Sequence, residues 1–506
     1  MALKKNLLAN YVSQGYSAVV GIVVLPIYIK YMGPEAYGLV GFFSMLFAWF
    51  SLLDIGLKPT MVRETARFRG GAISPQSFLL FVRSFEGVFA FVGLMLGTSV
   101  FFMSGYLANH WLNLSELPVE DVQRCLEFMA FIIFCRWMSG LYRGVVSGSE
   151  KILWLSCFNS GFATLRFVVV IPTLIWIDSS PKVFFAFQLC VSALELLTIS
   201  AFVSSILPSR REHGPIGWSF SPIRRSLNFS LTIAFTSTVW VLITQTDKLI
   251  LSKLIALENY GYYTMAVVVA NGILLVSGPL STVVMPRMVR LEAQDNQVGL
   301  QMLYRKATQF AAVIGSLLAS LLFIFGSQII WLWTGDASAT LKVPEIMGIY
   351  AIGNGILVVA AFPYYLQFAK GNLRLHLLGN LMFVVILLPS VVIAALKYGG
   401  LGAAYVWFLS NLLLFVGWLP VVHKRFMPGI NFRWYFEDTL IIFGVAFLSC
   451  QLIKVLTIDF LSDARLLLAI QMLCIGASVS VITLFASSFA RKEFQLRVAK
   501  KVVSPL

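Results

Sequence analysis

Eight ionisable side chains stand inside long apolar stretches of this sequence, where charged groups are rare. Four are basic: Arg83, Arg136, Arg166 and Lys248. Four are acidic: Glu86, Glu127, Glu195 and Asp247. Because a charge in an apolar segment is costly, each is a candidate for binding an ion or an anionic group. An arginine in such a place suits pyrophosphate, since its guanidinium presents a planar fork of donors.

Arg166 is the strongest of these candidates. It lies about halfway along an apolar stretch, within residues 162–168, where the side chain is too far from either end to reach water by snorkelling. One interpretation is that Arg166 faces a cavity and binds an anionic head group. The other is a buried ion pair with Glu195, which lies at a similar depth on the next helix. The sequence leaves both interpretations open.

Two further arginines have structural alternatives as well. Arg83 and Glu86 are spaced i, i+3, so they can pair on one helix face, although Arg83 is also placed to receive an anionic head group. Arg136 lies near one end of its stretch and can snorkel to water or bind an anion. The pairing of Arg83 with Glu86 is the favoured interpretation.

Two polar runs also interrupt apolar stretches. One ends at Asp247 and Lys248, which follow the polar residues Thr244, Gln245 and Thr246. The other lies near the beginning of the chain and contains Asn10, Gln14 and Ser17. Hydrogen bonds between neighbouring helices are one role for such groups; contact with a polar ligand is the other.

The composition is not that of a soluble protein. The 506 residues include 38 Lys and Arg and 23 Asp and Glu, so charged residues make up 12% and hydrophobic residues 58%. A soluble domain carries roughly twice that charge. An ordinary soluble enzyme is excluded, and the scattered basic residues do not form a surface for nucleic acid.

Fourteen apolar stretches are long enough to cross a bilayer, which takes roughly 20 residues. If the N-terminus is cytoplasmic, 26 basic residues fall in inner segments and 8 in outer ones. Both termini are therefore predicted to be cytoplasmic. The predicted spans are 7–29, 36–57, 79–106, 121–142, 152–177, 183–207, 227–252, 260–284, 307–333, 343–368, 375–396, 401–422, 436–456 and 465–489.

The chain also resembles itself at an offset of 223 residues. At this offset Lys30, Glu35, Tyr37 and Gly38 align with Lys253, Glu258, Tyr260 and Gly261. Six helices per repeat is an even number, so the two halves enter the membrane in the same direction. The sequence therefore predicts an all-α integral membrane protein of about 14 transmembrane helices. Two parallel six-helix repeats form two lobes around a central cavity, and two further helices follow.

The predicted division of the chain follows this pattern. The N-lobe covers residues 1–207, a cytoplasmic linker 208–226 and the C-lobe 227–422, while 423–506 holds the last two helices and a basic tail. Within the N-lobe, Gly140, Gly144 and Gly148 form a stripe of small residues that predicts close contact with another helix.

No motif for enzymatic chemistry accompanies these helices. The sequence has no G-x-x-x-x-G-K-[ST] and no H-E-x-x-H, and its six cysteines form no C-x-x-C. All predicted loops are short. ATP hydrolysis by this chain, sugar transfer and a metal cofactor therefore lose support.

Several segments resemble the polysaccharide-exporter family, which includes O-antigen repeat-unit flippases and belongs to the multidrug, oligosaccharidyl-lipid and polysaccharide exporter superfamily. The likeness covers nearly the whole chain in topology. It rests on residues 53–57 (Leu-Asp-Ile-Gly-Leu) with Arg63, Glu64 and Arg67, and on residues 247–251 (Asp-Lys-Leu-Ile-Leu) leading into residues 260–263 (Tyr-Gly-Tyr-Tyr).

The resemblance implies a flippase of the bacterial inner membrane that works by alternating access. Its cargo would be an oligosaccharide on polyprenyl pyrophosphate, and its other partners would be membrane lipids and the polysaccharide polymerase and chain-length machinery, with no nucleic acid. Arg166, Arg83, Arg136, Lys248, Gln14, Asn10 and Gln245 are then expected to contact the cargo. Glu195, Glu86 and Asp247 are expected to couple a proton or sodium ion, with no other cofactor.

Three other functions stay open at this point. A multidrug antiporter of the same superfamily would export organic cations, and a lipid II flippase would carry a different lipid-linked sugar. A membrane-embedded polymerase or ligase would act on sugar bonds. The last usually needs a large periplasmic loop with catalytic groups, and the outer loops here are short.

Overall fold

The computed structural model describes residues 2–54, 56–208, 217–219, 221–457, 464–492 and 495. This part of the chain is almost entirely helical and contains no strand. Eleven of its helical segments are long and apolar enough to cross a membrane. The predicted all-α membrane fold is confirmed, while the count of fourteen crossings and the two six-helix repeats stay predictions.

The chain forms two compact units, Met1–Gly261 and Tyr262–Leu506. The predicted boundaries of the two lobes lie elsewhere and stay predictions. Within the predicted linker, 208–226, residues 209–216 and 220 lie outside the described residues, as does the end of the predicted basic tail.

The first unit is built around one long helix, α5. Its neighbours α3, α4 and α8 pack directly against α5, and α1 packs against α6. The helices of this unit are α1 (Ala2–Val23), α2 (Leu25–Phe50), α3 (Leu57–Arg69), α4 (Pro75–Tyr106), α5 (Val119–Gly148), α6 (Ile152–Thr164), α7 (Val170–Trp176), α8 (Pro181–Ile206) and α9 (Ser221–Leu254). Helix α10 (Leu257–Asn271) begins in this unit and ends in the second.

The second unit is centred on α12 and α15, which pack side by side, with α19 on α12 and α16 on α15. Its helices after α10 are α11 (Ser277–Ala293), α12 (Gln297–Ile324), α13 (Gly326–Thr334), α14 (Ala337–Lys342), α15 (Pro344–Ala369), α16 (Arg374–Leu413), α17 (Leu419–Phe426), α18 (Asn431–Tyr435), α19 (Ile441–Thr457) and α20 (Arg465–Ala486).

Two glycines interrupt helices that are otherwise continuous. Gly33 in α2 has φ of 84° and Gly399 in α16 has φ of 58°, values that favour glycine because they strain other residues. The two breaks lie between predicted spans, 7–29 and 36–57 in the first case and 375–396 and 401–422 in the second. The apolar segment Arg374–Phe426 is 53 residues long, so the break at Gly399 divides a stretch that is long enough for two crossings.

The predicted glycine stripe on α5 has the expected role. Helix α3 lies against it so closely that a Cβ added at Gly148 would be 2.5 Å from the carbonyl oxygen of Val62. A Cβ at Gly144 would be 3.1 Å from Cβ of Met61. Small residues therefore let α3 approach the backbone of α5.

A second close contact joins α2 to α10 within the first unit. A Cβ on Gly38 would overlap the carbonyl oxygen of Leu257, and a Cβ on Gly261 would overlap that of Pro34. Leu257 and Gly261 lie 223 residues after Pro34 and Gly38, which is the offset found in the sequence. Each glycine therefore faces the carbonyl group of the residue four positions before the other glycine. Backbone atoms cannot move aside as a flexible side chain can, so both positions require glycine.

Substituting Gly261 with alanine should destabilise the protein, because α2 and α10 must separate to admit the methyl group. Overpacking of this kind costs about 1–3 kcal/mol. The midpoint of thermal unfolding of the purified protein should fall. A matched control is Gly444→Ala in α19, where a Cβ would meet nothing within 4 Å and better helix propensity should raise the midpoint slightly. Equal midpoints for the two variants would contradict the requirement for glycine at 261.

Candidate functional site: a cationic cavity in the first unit

A cavity of about 730 Å³ lies within the first unit, and its wall carries several positive charges. Helix α5 contributes Arg136 and Arg143, which are seven residues apart and therefore share one face. Arg166 comes from the turn that follows α6, and Glu195 comes from α8. The cavity is lined by Phe47, Lys58, Pro59, Val62, Arg136, Gly140, Arg143, Gly144, Ser147, Leu155, Arg166 and Glu195.

Glu195 bridges two of the cationic groups. Its side chain is only 3% exposed, Oε1 accepts from Nη2 of Arg143, and Oε2 accepts from Nη2 of Arg166. Arg143 also donates to Oδ1 of Asn159. A buried carboxylate between two guanidiniums lowers the cost of holding them in an apolar segment.

Arg166 lies on a distorted turn of helix. Residues Leu165–Val169 form a π-helical turn between α6 and α7, a geometry that inserts one residue and often occurs at functional sites. Two neighbours satisfy its carbonyl groups: Tyr28 donates to the oxygen of Phe167 at 2.7 Å, and Gln188 to that of Arg166 at 2.8 Å. Nε of Arg166 is buried and lacks a hydrogen-bond partner within the described residues.

Arg136 is held by neutral groups. Its guanidinium donates to Gln188 at 3.2 Å and more weakly to Ser192 at 3.4 Å, and it lies 5.0 Å from the ring centre of Phe43. In the described part of the chain, no carboxylate lies within ion-pair distance of Arg136. The charge of Arg136 is therefore not neutralised by a salt bridge.

Lys58 reaches the cavity from α3. Its Nζ lies 3.7 Å from Asp54 and 5.3 Å from the ring centre of Trp137. A Cβ on Gly140 would overlap Cε of Lys58, so the same stripe that admits α3 also makes room for this side chain. Asp54 is thus paired with a basic residue near its own helix end.

The charges around the cavity do not balance. Four cationic groups line it, namely Lys58, Arg136, Arg143 and Arg166, while Glu195 lines it and Asp54 pairs with Lys58. Four positive charges less two negative charges leave a surplus of two. The cavity is therefore suited to an anion, and a doubly charged anion would neutralise it.

Arg166 pairs with Glu195, as one interpretation had it, and it also lines the cavity; its binding of an anionic head group stays a prediction. Arg136 lines the cavity as well. Arg83 is exposed. Glu86 accepts a hydrogen bond from Tyr142 at 3.2 Å, and the pairing of Arg83 with Glu86 stays a prediction. Neither Arg83 nor Glu86 lines this cavity.

The polar runs lie apart from this cavity too. Asp247 and Lys248 are buried in α9, where Nζ of Lys248 lies 4.0 Å from Asp247 and donates to the carbonyl oxygen of Thr244 at 2.7 Å. Gln245 donates to the hydroxyl of Thr244 at 3.3 Å. These contacts of Lys248 and Gln245 lie within α9.

On α1, Asn10 is half-buried and Gln14 is exposed. The buried polar contact of this helix is made by Ser13, which donates to the carbonyl oxygen of Ser156 at 2.9 Å and accepts from Ser160. The roles of Asn10 and Gln14 in cargo binding stay predictions.

Sequence reasoning missed two cavity residues, Arg143 and Lys58, because both were assigned to inner loops by their positive charge. The spacing of Arg143 from Arg136 and the glycine stripe facing α3 were the signals that could have found them.

The comparisons with known proteins agree with this fold. Residues 3–292 match the family described as polysaccharide biosynthesis protein. A Shigella flexneri protein named "Putative O-antigen transporter" is 21% identical over 430 residues, which cover 83% of this chain and 98% of that one. A structure of the lipid II flippase MurJ in an inward closed conformation superposes with a TM-score of 0.71 at 16% identity, covering 96% of this chain and 99% of MurJ.

An inward-facing multidrug resistance transporter of the MATE family, in the MOP superfamily, superposes with a TM-score of 0.66 at 13% identity. The match covers 81% of this chain and 96% of the transporter. The structure therefore shares the fold of MurJ and of this transporter. Because the matched family spans more than half of the sequence, the chain belongs to the polysaccharide biosynthesis protein family.

The double substitution Arg143→Met with Arg166→Met should destabilise the protein by more than the sum of the two single changes. Each single variant leaves one guanidinium on Glu195, whereas the double variant strands a buried carboxylate, which costs roughly 3–5 kcal/mol. Thermal unfolding of the purified variants measures this difference.

Adding Glu195→Gln to the double variant removes the stranded charge and should recover part of the lost stability. Strictly additive losses, with no recovery in the triple variant, would show that the bridge does not link the two arginines.

Proposed function

We propose that this protein moves an oligosaccharide repeat unit, linked to polyprenyl pyrophosphate, from the cytoplasmic to the periplasmic leaflet of the bacterial inner membrane, for the synthesis of a surface polysaccharide such as O-antigen. The cationic cavity takes the pyrophosphate group. It opens to one side of the membrane at a time, so that the protein works by alternating access with both termini in the cytoplasm. Family membership and the fold support transport of this kind.

The observation that carries the proposal is the charge of the cavity. A pyrophosphate that links a lipid to a sugar is a diester and carries two negative charges at neutral pH, which match the surplus of two positive charges. Arginine forks bind phosphate oxygens through paired donors. Arg136 supplies the charge without a carboxylate partner, and Arg166 supplies a buried Nε that is still free to donate.

The same charge disfavours the export of organic cations. A cation entering this cavity would meet the surplus of positive charge, so it would be repelled. Lipid II flipping is not distinguished by charge, because lipid II is also a pyrophosphate. The identity of the sugar must therefore be determined by analysing the lipid-linked sugars of the cells.

The decisive measurement is mass spectrometry of polyprenyl-linked oligosaccharides in cells that lack this protein and in the same cells complemented with it. We expect one complete repeat unit to accumulate on its lipid carrier in the deletion, with loss of the surface polymer. Accumulation of lipid II would instead assign lipid II as the cargo. Unchanged lipid-linked sugars, together with new sensitivity to cationic compounds, would overturn the proposal in favour of drug export.

Complementation with Arg136→Ala should fail, because the cavity loses its unpaired cation, and the repeat unit should accumulate as in the deletion. Arg136→Lys keeps the charge but loses the planar fork, so it should restore part of the transport. Arg69→Ala is the matched control, since Arg69 is exposed at the end of α3 and does not line the cavity. Full transport by Arg136→Ala in a protein present at normal level would remove Arg136 from the proposed site.

We further propose that the membrane potential drives this step. With the cell interior negative, an anion gains about 2.3 kcal/mol per charge for each 100 mV it crosses outward, or roughly 4.6 kcal/mol for two charges. The expected coupling of a proton or sodium ion by Glu195, Glu86 or Asp247 is the competing source of energy.

Collapse of the potential with valinomycin and external potassium should therefore make the lipid-linked repeat unit accumulate in wild-type cells. Collapse of the pH difference alone with nigericin should leave its level unchanged. Accumulation with nigericin, or on removal of external sodium, would instead show coupling to that ion.

A further inference from the structure

Glu195 occupies the place in the cavity where an anionic ligand would contact the arginines. We propose that Glu195 is an internal competitor of the cargo: its carboxylate neutralises Arg143 and Arg166 while the cavity is empty, and the diphosphate group displaces it from them. This inference rests on the proposed function, because it assumes that the cavity binds a diphosphate. It assigns Glu195 a role in setting affinity rather than in carrying an ion.

The geometry of the bridge resembles the contacts that a diphosphate would make. Each carboxylate oxygen of Glu195 accepts from a different guanidinium, one on α5 and one on the π-helical turn. Two oxygens of a diphosphate can take the same two donors. The carboxylate and the ligand are therefore alternatives for one pair of arginines.

The exposure of the three side chains supports an exchange. Arg143 and Arg166 are 32% and 19% exposed, whereas Glu195 is 3% exposed. Both arginines are therefore more accessible than the carboxylate that they share, and all three residues line the cavity. A ligand in the cavity can contact both arginines while Glu195 gives way.

Helix α8 presents one charged and two neutral acceptors to the three arginines. Gln188, Ser192 and Glu195 are spaced i, i+4 and i+7, so they lie on the same face. Gln188 and Ser192 accept from Arg136, and only Glu195 brings a negative charge. The protein therefore neutralises two of its three cavity arginines and leaves the third available as the first contact for an anion.

A competing carboxylate solves a problem specific to a transporter. Three arginines without a counter-ion would be costly to bury and would hold a diphosphate so tightly that its release would be slow. Transport requires binding that is strong enough to load the site and weak enough to empty it. Glu195 lowers the affinity by replacing the cargo on two arginines when the cargo leaves.

The test is the binding of inorganic pyrophosphate to the purified full-length protein, measured by calorimetry in magnesium-free buffer, alongside transport in complemented cells. Glu195→Gln keeps the shape of the side chain and removes its charge, so we expect pyrophosphate to bind at least about tenfold more tightly, the change that about 1.4 kcal/mol produces. The same variant should transport more slowly, because release is impaired.

Two control variants separate direct competition from a general change of charge. Glu86→Gln removes one negative charge in the same unit, but Glu86 does not line the cavity, so pyrophosphate affinity should stay near that of the wild type. Glu195→Asp keeps the charge and shortens the reach by one methylene. It should tighten binding part of the way if contact with both arginines matters.

The outcomes distinguish this inference from the proposed function. If wild type, Glu195→Gln and Arg136→Ala all fail to bind pyrophosphate, the proposed site itself is wrong. If the wild type binds and Arg136→Ala weakens binding, but a folded Glu195→Gln binds equally or less tightly, Glu195 only positions the arginines and the competition is refuted. Equal tightening by Glu86→Gln and Glu195→Gln would also refute it, since charge alone would then explain the gain.

Discussion

The structure of the first unit depends on the cost of keeping positive charge inside an apolar segment. Three arginines and a lysine share one cavity, and each must be stabilised there. A shared carboxylate stabilises Arg143 and Arg166. Amide, hydroxyl and aromatic groups surround Arg136, and Asp54 lies beside Lys58. Carboxylates only partly cancel the charge, so an excess of positive charge remains.

The helices around the cavity are shaped by the same requirement. Gly140, Gly144 and Gly148 bring α3 against α5, and this approach carries Lys58 to the cavity wall. Arg166 lies in the π-helical turn at Leu165–Val169. Gln188 connects the two arginines, because it accepts from the guanidinium of Arg136 and donates to the backbone carbonyl of Arg166. Backbone distortion and charge placement are therefore parts of one arrangement.

Much of this arrangement could be predicted from sequence, because burial of charge leaves a clear signal in an apolar chain. The fold class, the glycine stripe and, as one of two alternatives, the pairing of Arg166 with Glu195 could be predicted from the apolar segments and the few residues that interrupt them. The hydrogen bond from Tyr142 to Glu86 could not be predicted, because spacing along one helix does not reveal a partner on another. Arg143 and Lys58 were missed for a related reason: a basic residue near a helix end looks like a topology signal until the neighbouring helix is seen.

The offset of 223 residues adds an argument about where recognition of charge resides. The residues at this offset from Lys58, Arg136, Arg143, Arg166 and Glu195 are Ser281, Val359, Leu366, Pro389 and Trp418. None of these five is ionisable, although nearby positions such as Gly38 and Gly261 are identical. At the predicted offset, therefore, neither the cationic groups nor their counter-ion has an ionisable equivalent. A carboxylate kept without the arginines, or the arginines kept without the carboxylate, would leave an unpaired charge in an apolar segment, which is costly.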